Sequence, residues 1–282
     1  MTTEDIDAVC GLVLDLCGVY LDQSKAYLIE SRLQAISKSA GCERYAELVR
    51  KIRFGHDPKL KNAVIDAITT HETLFFRDNS PFEALKNRVL PDAIDRNAKS
   101  LFPKRLRIWS AACSTGQEPY SIAMAISEMI PDVSSWDIRI LGTDVSDDAV
   151  AKASTGLYLP HEIERGLDAA RLNRFFSREG QSWRVRPELR AMCSFQQRNL
   201  LQTFTTLGPF DVIFCRNVAI YFQPTARADL FRRLADVLVP GGALFAGSQE
   251  SLADLGPRFQ PQLHCRGVFY LPNGPAIAGL AK

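Results

Sequence analysis

Glu118 and Asp144 are the residues whose type and position say most about chemistry. Glu118 follows a run of small residues, Ser110, Ala111, Ala112, Cys113, Ser114, Thr115 and Gly116. With Pro119 it opens a pattern in which Ile122, Ala123, Ala125, Ile126 and Met129 recur at helical spacing. A loop without bulky side chains lets a ligand approach the backbone, and free amide N–H groups at a helix start can donate to it. A carboxylate at that point would repel a pyrophosphate, and neither G-x-G-x-x-G nor a Walker sequence is present. The stretch therefore suits a cationic or hydroxyl-bearing ligand such as S-adenosylmethionine better than NAD or ATP. Asp144 closes the strand-like run IRILGTD about thirty residues later, where an acid can accept from both hydroxyls of a ribose. Taken singly, the first stretch also fits an ordinary strand-to-helix turn, and Asp144 a helix cap.

These residues need a scaffold of strands and helices. Leu106, Ile108 and Trp109 form a short strand before the small-residue loop, and FDVIFC (210–215) is an almost purely apolar run that reads as a central buried strand. Arg216, Asn217 and Val218 cap it. A helix over 225–238, a tight turn at Pro240, Gly241 and Gly242, and strands over 243–246 and 268–271 follow. Such alternation predicts a parallel sheet with its ligand at the carboxyl edge. Between residues 152 and 198 the pattern is irregular. Gly156, Tyr158 and Leu159 read as a loop, Leu172, Phe175 and Phe176 as a short helix, and 182–185 and 192–195 as short strands around Pro187. The expectation there is a small antiparallel insertion at about 175–198.

Residues 1–80 carry four amphipathic helical patterns, broken at Gly18 and Gly41, and no strand-like alternation. This divides the chain into a helical domain (1–80) and an α/β domain (81–282). Between Arg32 and Lys61 there are eight bases (Arg32, Lys38, Arg44, Arg50, Lys51, Arg53, Lys59, Lys61) against three acids (Glu43, Glu47, Asp57), an excess of five. That patch could steer an acidic partner, or be a solvated face of ordinary composition. At the junction, TTHETLFFR (69–77) sets two aromatics beside hydroxyls and Arg77.

The 282 residues are 46% hydrophobic and 23% charged, the balance of a globular chain, and the formal charge of +2 is too small to argue for nucleic acid. No apolar run is long enough to span a bilayer, and the acidic start MTTEDIDAV is unlike a signal peptide, so a cytoplasmic protein without direct membrane insertion is expected. Seven scattered cysteines without C-x-x-C, and four separated histidines, suggest no metal site.

Six separated motifs, TTHETLFFR, SAACSTGQEPYSIAM, LGTDVS, RNLL, FDVIFCRNVAIYF and VPGGALFAGSQES, in that order, resemble the CheR family of chemotaxis receptor methyltransferases, with likeness from about residue 10 to 270. The resemblance implies a class I S-adenosylmethionine-dependent methyltransferase, Rossmann-like, with a seven-stranded mixed sheet, an all-helical N-terminal domain and a small antiparallel β insertion. It implies methyl transfer to glutamates on the cytoplasmic helical part of chemoreceptors, giving glutamyl methyl esters and S-adenosylhomocysteine. It also raises the docking reading of Arg32, Lys38, Arg44, Arg50, Lys51 and Arg53. Carried over residue by residue, the cofactor contacts are Thr73, Arg77, Glu118, Asp144, Asn199, Leu200, Asn217 and Val218, and Tyr221 matches the tyrosine placed near the reacting methyl group; Arg77 and Tyr221 are the candidates for orienting the glutamate. Glu118 is expected to attract the cationic part of the cofactor. His71 stands where the family usually has asparagine, which leaves that cofactor contact and activity itself to be tested. Segment 177–183, SREGQSW, is short beside the loop of relatives that tether to a receptor C-terminal pentapeptide, so tether-independent action is expected. Competing readings are a methyltransferase acting on another substrate such as RNA, and a catalytically impaired receptor-binding adaptor.

Overall fold

A computed structural model describes residues 2–273. Four helices, α1 (Thr3–Cys17), α2 (Ala26–Ser39), α3 (Tyr45–Phe54) and α4 (Pro58–Ile68), come first. Thr2 caps α1 in a reciprocal pair with Asp5, and Gly18 ends it in the left-handed region at φ 78°. Asp57 caps α4 through the amides of Lys59 and Leu60, with Pro58 at its first position. Their apolar faces meet in one core of Val9, Leu12, Val13, Ile29, Leu33, Leu48 and Val64. α5 (Ser80–Ala84), a π-helical turn (Leu85–Val89) and α6 (Leu90–Asn97) then lead into the sheet.

The α/β part continues with β1 (Arg105–Ala111), α7 (Gln117–Met129), β2 (Asp137–Asp144), α8 (Asp147–Thr155), β3 (Leu157–Tyr158), α9 (Pro160–Glu164) and α10 (Ala169–Phe175). β4 (Phe176–Glu179), β5 (Ser182–Val185), α11 (Pro187–Met192), β6 (Cys193–Gln197), β7 (Phe210–Cys215), α12 (Pro224–Asp236), β8 (Leu238–Ala246), β9 (Phe259–His264) and β10 (Gly267–Pro272) complete it. The large sheet has the order β6-β2-β1-β7-β8-β10-β9. β6, β2, β1, β7 and β8 pair in parallel, and β10 runs antiparallel to both β8 and β9, so one strand of seven is reversed. Strand β7 is buried throughout. Val212 and Phe214 face the core beneath α7, while Ile213 and Cys215 face the core beneath α12, so a run without alternation satisfies both faces. From β1 the chain crosses to β2 on one side and reaches β7 on the other, opening a crevice at their carboxyl ends.

Several local expectations are corrected. Residues 157–158, read as loop, form β3 against β5, and a three-stranded antiparallel sheet β3-β5-β4 results. The strand expected at 192–195 lies outside that small sheet: 193–197 pair in parallel with β2 as an edge of the large one. Between the two strands read around Pro187, that proline starts a helix, α11. Leu238 begins β8 instead of ending α12, and Pro240, Gly241 and Gly242 lie within β8 beside a register shift opposite Phe210 and Val212. Strand β9, FQPQLH, absent from the sequence-based expectations, is an edge strand, where Pro261 is tolerated. Among the described residues no helix is long and apolar enough to cross a membrane.

Gly142 sits in β2 where a β-carbon would lie 2.7 Å from the Phe195 ring and 3.0 Å from Cys113 Sγ. Gly142→Ala should therefore cost about 1–3 kcal/mol of overpacking, read as a lower urea midpoint at unchanged slope. An unchanged midpoint would contradict this packing.

Candidate active site

The carboxyl ends of β1, β2 and β7 open on a cavity of about 310 Å³, within the size range of small-molecule sites. All ten residues expected at the site line it: His71, Thr73, Arg77, Glu118, Asp144, Asn199, Leu200, Asn217, Val218 and Tyr221.

Asp144 ends β2 and is buried. Its Oδ2 accepts from the Ser114 amide at 2.8 Å and its Oδ1 from the Ser146 amide at 3.0 Å. One lone pair on each oxygen remains for ligand hydroxyls. Burial pushes its carboxyl above the usual carboxylate range, although the Ser146 and Ser114 amides and the His71 ring favour ionisation. The small-residue loop is bent by left-handed Ala112 (φ 60°) and Ser114 (φ 50°), and the Cys113 amide donates to the Thr143 carbonyl at 2.8 Å. That bend turns the Ser114 amide towards β2.

Glu118 does not wait unpaired for a cation. Its Oε1 accepts from Ser110 Oγ at 2.7 Å and its Oε2 from Arg216 Nη1 at 3.0 Å. Arg216, whose side chain is only 2% exposed, also donates through Nη2 to the Arg77 carbonyl at 2.9 Å and to Asp78 Oδ2 at 2.8 Å. The guanidinium thus meets two carboxylates, and one negative charge is left over in this cluster. Glu118 lines the cavity as expected and is at the same time part of a Glu118–Arg216–Asp78 cluster. Sequence reasoning treated Arg216 only as a strand cap; a lone arginine ending an apolar strand was the available signal.

Arg77 is half-buried at the rim, and its Nη1 donates to the Glu72 carbonyl at 2.9 Å. The paired aromatics before it anchor this segment: Phe75 packs edge-on to Tyr158 and Phe176, and Phe76 to Phe82. His71 lies 3.0 Å by Nε2 from Thr69 Oγ1 and 3.4 Å from the Asp66 carbonyl. Thr69 Oγ1 itself donates to the Ile65 carbonyl, so Nε2 is the donor and carries the proton. The structure accommodates histidine here through local hydrogen bonds.

The helical domain supplies a wall of the cavity that the sequence did not reveal, with Tyr20, Leu21, Lys25, Tyr27 and Leu28. The Tyr20 amide donates to the Tyr221 carbonyl at 2.7 Å, and Asn199 Nδ2 to the Leu16 carbonyl at 2.6 Å. The Asn199 side chain is thus turned to α1, leaving its backbone and Leu200 to the cavity. Arg32, one of the six bases expected to dock a partner, also has a role within the fold. It donates to the carbonyls of Ile68 (2.9 Å) and Thr69 (3.1 Å), holding the end of α4 that leads to His71. Arg44 pairs with Glu4 and Asp5, Arg53 with Asp15, and Lys51 donates to the Ala40 carbonyl, whereas Lys38 is exposed and Arg50 reaches only the Ala46 carbonyl of its own helix.

Burial raises the Cys113 and Cys17 thiols, Cys113 further through Asp144 and Glu118, so neither is a thiolate nucleophile at neutral pH. Among the described residues no group of histidine, cysteine and acidic side chains could hold a metal. The donor set fits S-adenosylmethionine. A buried acid at the second strand end can accept from ribose hydroxyls, a bent loop of small residues allows close approach, and Glu118 adds a second carboxylate to a lining that also carries Lys25, Arg77, Arg198 and Arg216.

This sheet order and strand-end site define a class I S-adenosylmethionine-dependent methyltransferase. Comparison with known proteins agrees: residues 4–69 match the CheR methyltransferase all-alpha domain and residues 71–265 the CheR methyltransferase SAM binding domain. The chain is 42% identical over 244 residues to chemotaxis protein methyltransferase Cher2 of Pseudomonas putida, covering 85% of this chain and 87% of that one. It is 41% identical over 270 residues to chemotaxis protein methyltransferase 1 of Pseudomonas aeruginosa, covering 94% of each. A chemotaxis protein methyltransferase of Vibrio parahaemolyticus is 36% identical over 274 residues, covering 94% of this chain and 93% of that one. The chain belongs to the CheR methyltransferase family.

An acid whose folded pKa exceeds its unfolded value binds more protons when folded, so ionising Asp144 costs stability as pH rises through that window. Its ionised form is the better acceptor for ribose hydroxyls. Affinity for S-adenosylhomocysteine should therefore fall as pH drops through the raised Asp144 pKa. Asp144→Ala should weaken binding by about 1.5–3 kcal/mol at neutral pH and flatten the pH dependence. Unchanged affinity in calorimetry would remove Asp144 from the ribose site.

Proposed function

We propose that this protein transfers the methyl group of S-adenosylmethionine to side-chain carboxylates of glutamates on the cytoplasmic helical part of chemoreceptors, giving glutamyl methyl esters and S-adenosylhomocysteine. One observation carries the reading. The cavity offers groups that hold and orient, while its thiols are neutral and its histidine is tied to Thr69. Such a site suits an acceptor that arrives already ionised. A glutamate has an unperturbed pKa of about 4.3 and needs no general base at neutral pH.

The bound cofactor supplies an activated methyl on a sulfonium that leaves as a neutral thioether. The chain's part is alignment and exclusion of water, which can be worth roughly 7–11 kcal/mol. Asp144, the bent loop and Asn217–Val218 would hold the cofactor. Arg77 has N–H groups beyond the one given to Glu72, and Tyr221 stands at the mouth with 38% of its surface exposed. A full Arg77 fork on the glutamate would stabilise the ground state and blunt the nucleophile, so orientation through one oxygen is the better arrangement.

The mouth also suits a protein acceptor, since Tyr20, Tyr27 and Tyr221 expose apolar surface around it. The small sheet supports tether independence. β4 and β5 are joined by Gly180 and Gln181 alone, and Arg184 closes the hairpin on Glu179.

Incubation with methyl-labelled cofactor and receptor cytoplasmic fragments should give label on glutamates that alkali releases as methanol. Removing the receptor C-terminal pentapeptide should change the rate less than about twofold, within the scatter of surface changes. Alkali-stable label, label on RNA, or tight saturable binding of the free pentapeptide would each overturn the corresponding part.

A further inference from the structure

Glu250 is a buried acid, 3% exposed, that does not line the cavity. Its Oε2 accepts from the amides of Asn217 and Gly247, each at 2.7 Å. Its Oε1 accepts from the amides of Val218 (3.2 Å) and Ile220 (3.1 Å). Four peptide donors fill the two lone pairs of each oxygen. Three of them belong to the loop leaving β7, which carries the expected cofactor pair Asn217–Val218 and ends at Tyr221. The loop's own backbone bonds, from the Tyr221 amide to the Val218 carbonyl and from the Phe222 amide to the Ala219 carbonyl, leave the amides of Asn217, Val218 and Ile220 to Glu250. Asn217 is left-handed at φ 58°, and the one-turn helix Ala219–Tyr221 leaves its first amides without helical partners. The fourth donor, Gly247, follows β8, so the carboxylate joins two neighbouring strand ends. Gly247 must be small for this: a β-carbon there would lie 2.5 Å from Glu250 Oε2 and 2.8 Å from the Asn217 amide.

We infer that Glu250 is a positioning residue of the methyl transfer, its carboxylate serving as an internal anion that fixes the Asn217–Tyr221 loop in its working geometry. The inference rests on the methyltransferase reading and acts through Asn217, Val218 and Tyr221. Glutamine at 250 keeps the shape but turns an NH₂ group towards two N–H donors. The loop then loses two acceptors and meets a repulsive contact.

The test compares wild type, Glu250→Gln, Gly247→Ala and Glu250→Ala for melting temperature, affinity for S-adenosylhomocysteine, and turnover on receptor fragment at saturating substrates. Glu250→Gln and Gly247→Ala should stay folded, with affinity and turnover each falling about tenfold to a hundredfold. Formate, a small anion for the vacated amides, should restore much of the loss in Glu250→Ala, and formamide, similar in size but neutral, should not. A rescue by charge separates positioning from mere destabilisation. Wild-type affinity and turnover in Glu250→Gln, or Glu250→Ala indifferent to formate, would overturn the inference. If wild type itself fails to methylate receptors, the functional reading fails, and the affinity series still decides the role of Glu250.

Discussion

A buried guanidinium holds the site together. Arg216 brings three chain segments to one point: the turn at Arg77 and Asp78, the first turn of α7 at Glu118, and the end of β7 where it resides. A buried charge is tolerated only when paired and hydrogen-bonded, and here the pairing coincides with the architecture of the pocket. Removing Arg216 would leave Glu118 with Ser110 alone, whereas Asp78, whose side chain is 37% exposed, could turn to water. The guanidinium fork matters as much as the charge, because two of its nitrogens serve separate acceptors in fixed directions. Within the Glu118–Arg216–Asp78 cluster the two carboxylates outnumber the one guanidinium, while the cavity lining as a whole carries Lys25, Arg77, Arg198 and Arg216 against Glu72, Glu118 and Asp144.

The same constraint explains where the backbone is bent. Among the described residues, eight non-glycine residues have positive φ: Ala112, Ser114 and Asn217 line the cavity, and Phe76, Asp78 and Asn79 lie in the turn around its lining residue Arg77. Such conformations cost on the order of 1–3 kcal/mol each and persist where the surroundings over-determine them. Each group has its clamp. Arg216 holds the turn at 76–79, Asp144 holds the loop at 112–114 through the Ser114 amide, and Glu250 holds Asn217. Three buried ionic side chains thus fix three strained loops around one ligand cavity. The helical domain completes the enclosure through the Tyr20–Tyr221 and Leu16–Asn199 hydrogen bonds, so it forms part of the site as well as a candidate surface for a partner.

Much of this was legible in the sequence wherever one element carried its own signal. The four amphipathic helices, the small-residue loop and the apolar run of β7 declare themselves by period or composition. Asp144 could be placed because it ends a strand-like run, and Asn217 through the family resemblance of FDVIFCRNVAIYF. What stayed hidden depends on pairing across distance. Arg216 meets Glu118 across 98 residues of chain and Glu250 meets Asn217 across 33, and no local period encodes either partner. For the same reason 193–197 was legible as a strand, yet its sheet was not. The basic excess between Arg32 and Lys61 was correctly counted, but a count does not say that Arg32 is spent on the carbonyls of Ile68 and Thr69.

The most direct measurement is calorimetric titration of S-adenosylhomocysteine into wild type and Arg216→Lys. Lysine keeps the charge and gives up the fork. If the guanidinium organises the pocket, the variant stays folded at lower melting temperature and binds at least about tenfold more weakly, the scale of one lost charged hydrogen bond. Wild-type affinity in Arg216→Lys would contradict the account, because charge alone would then suffice and the three-way junction would be incidental to the site.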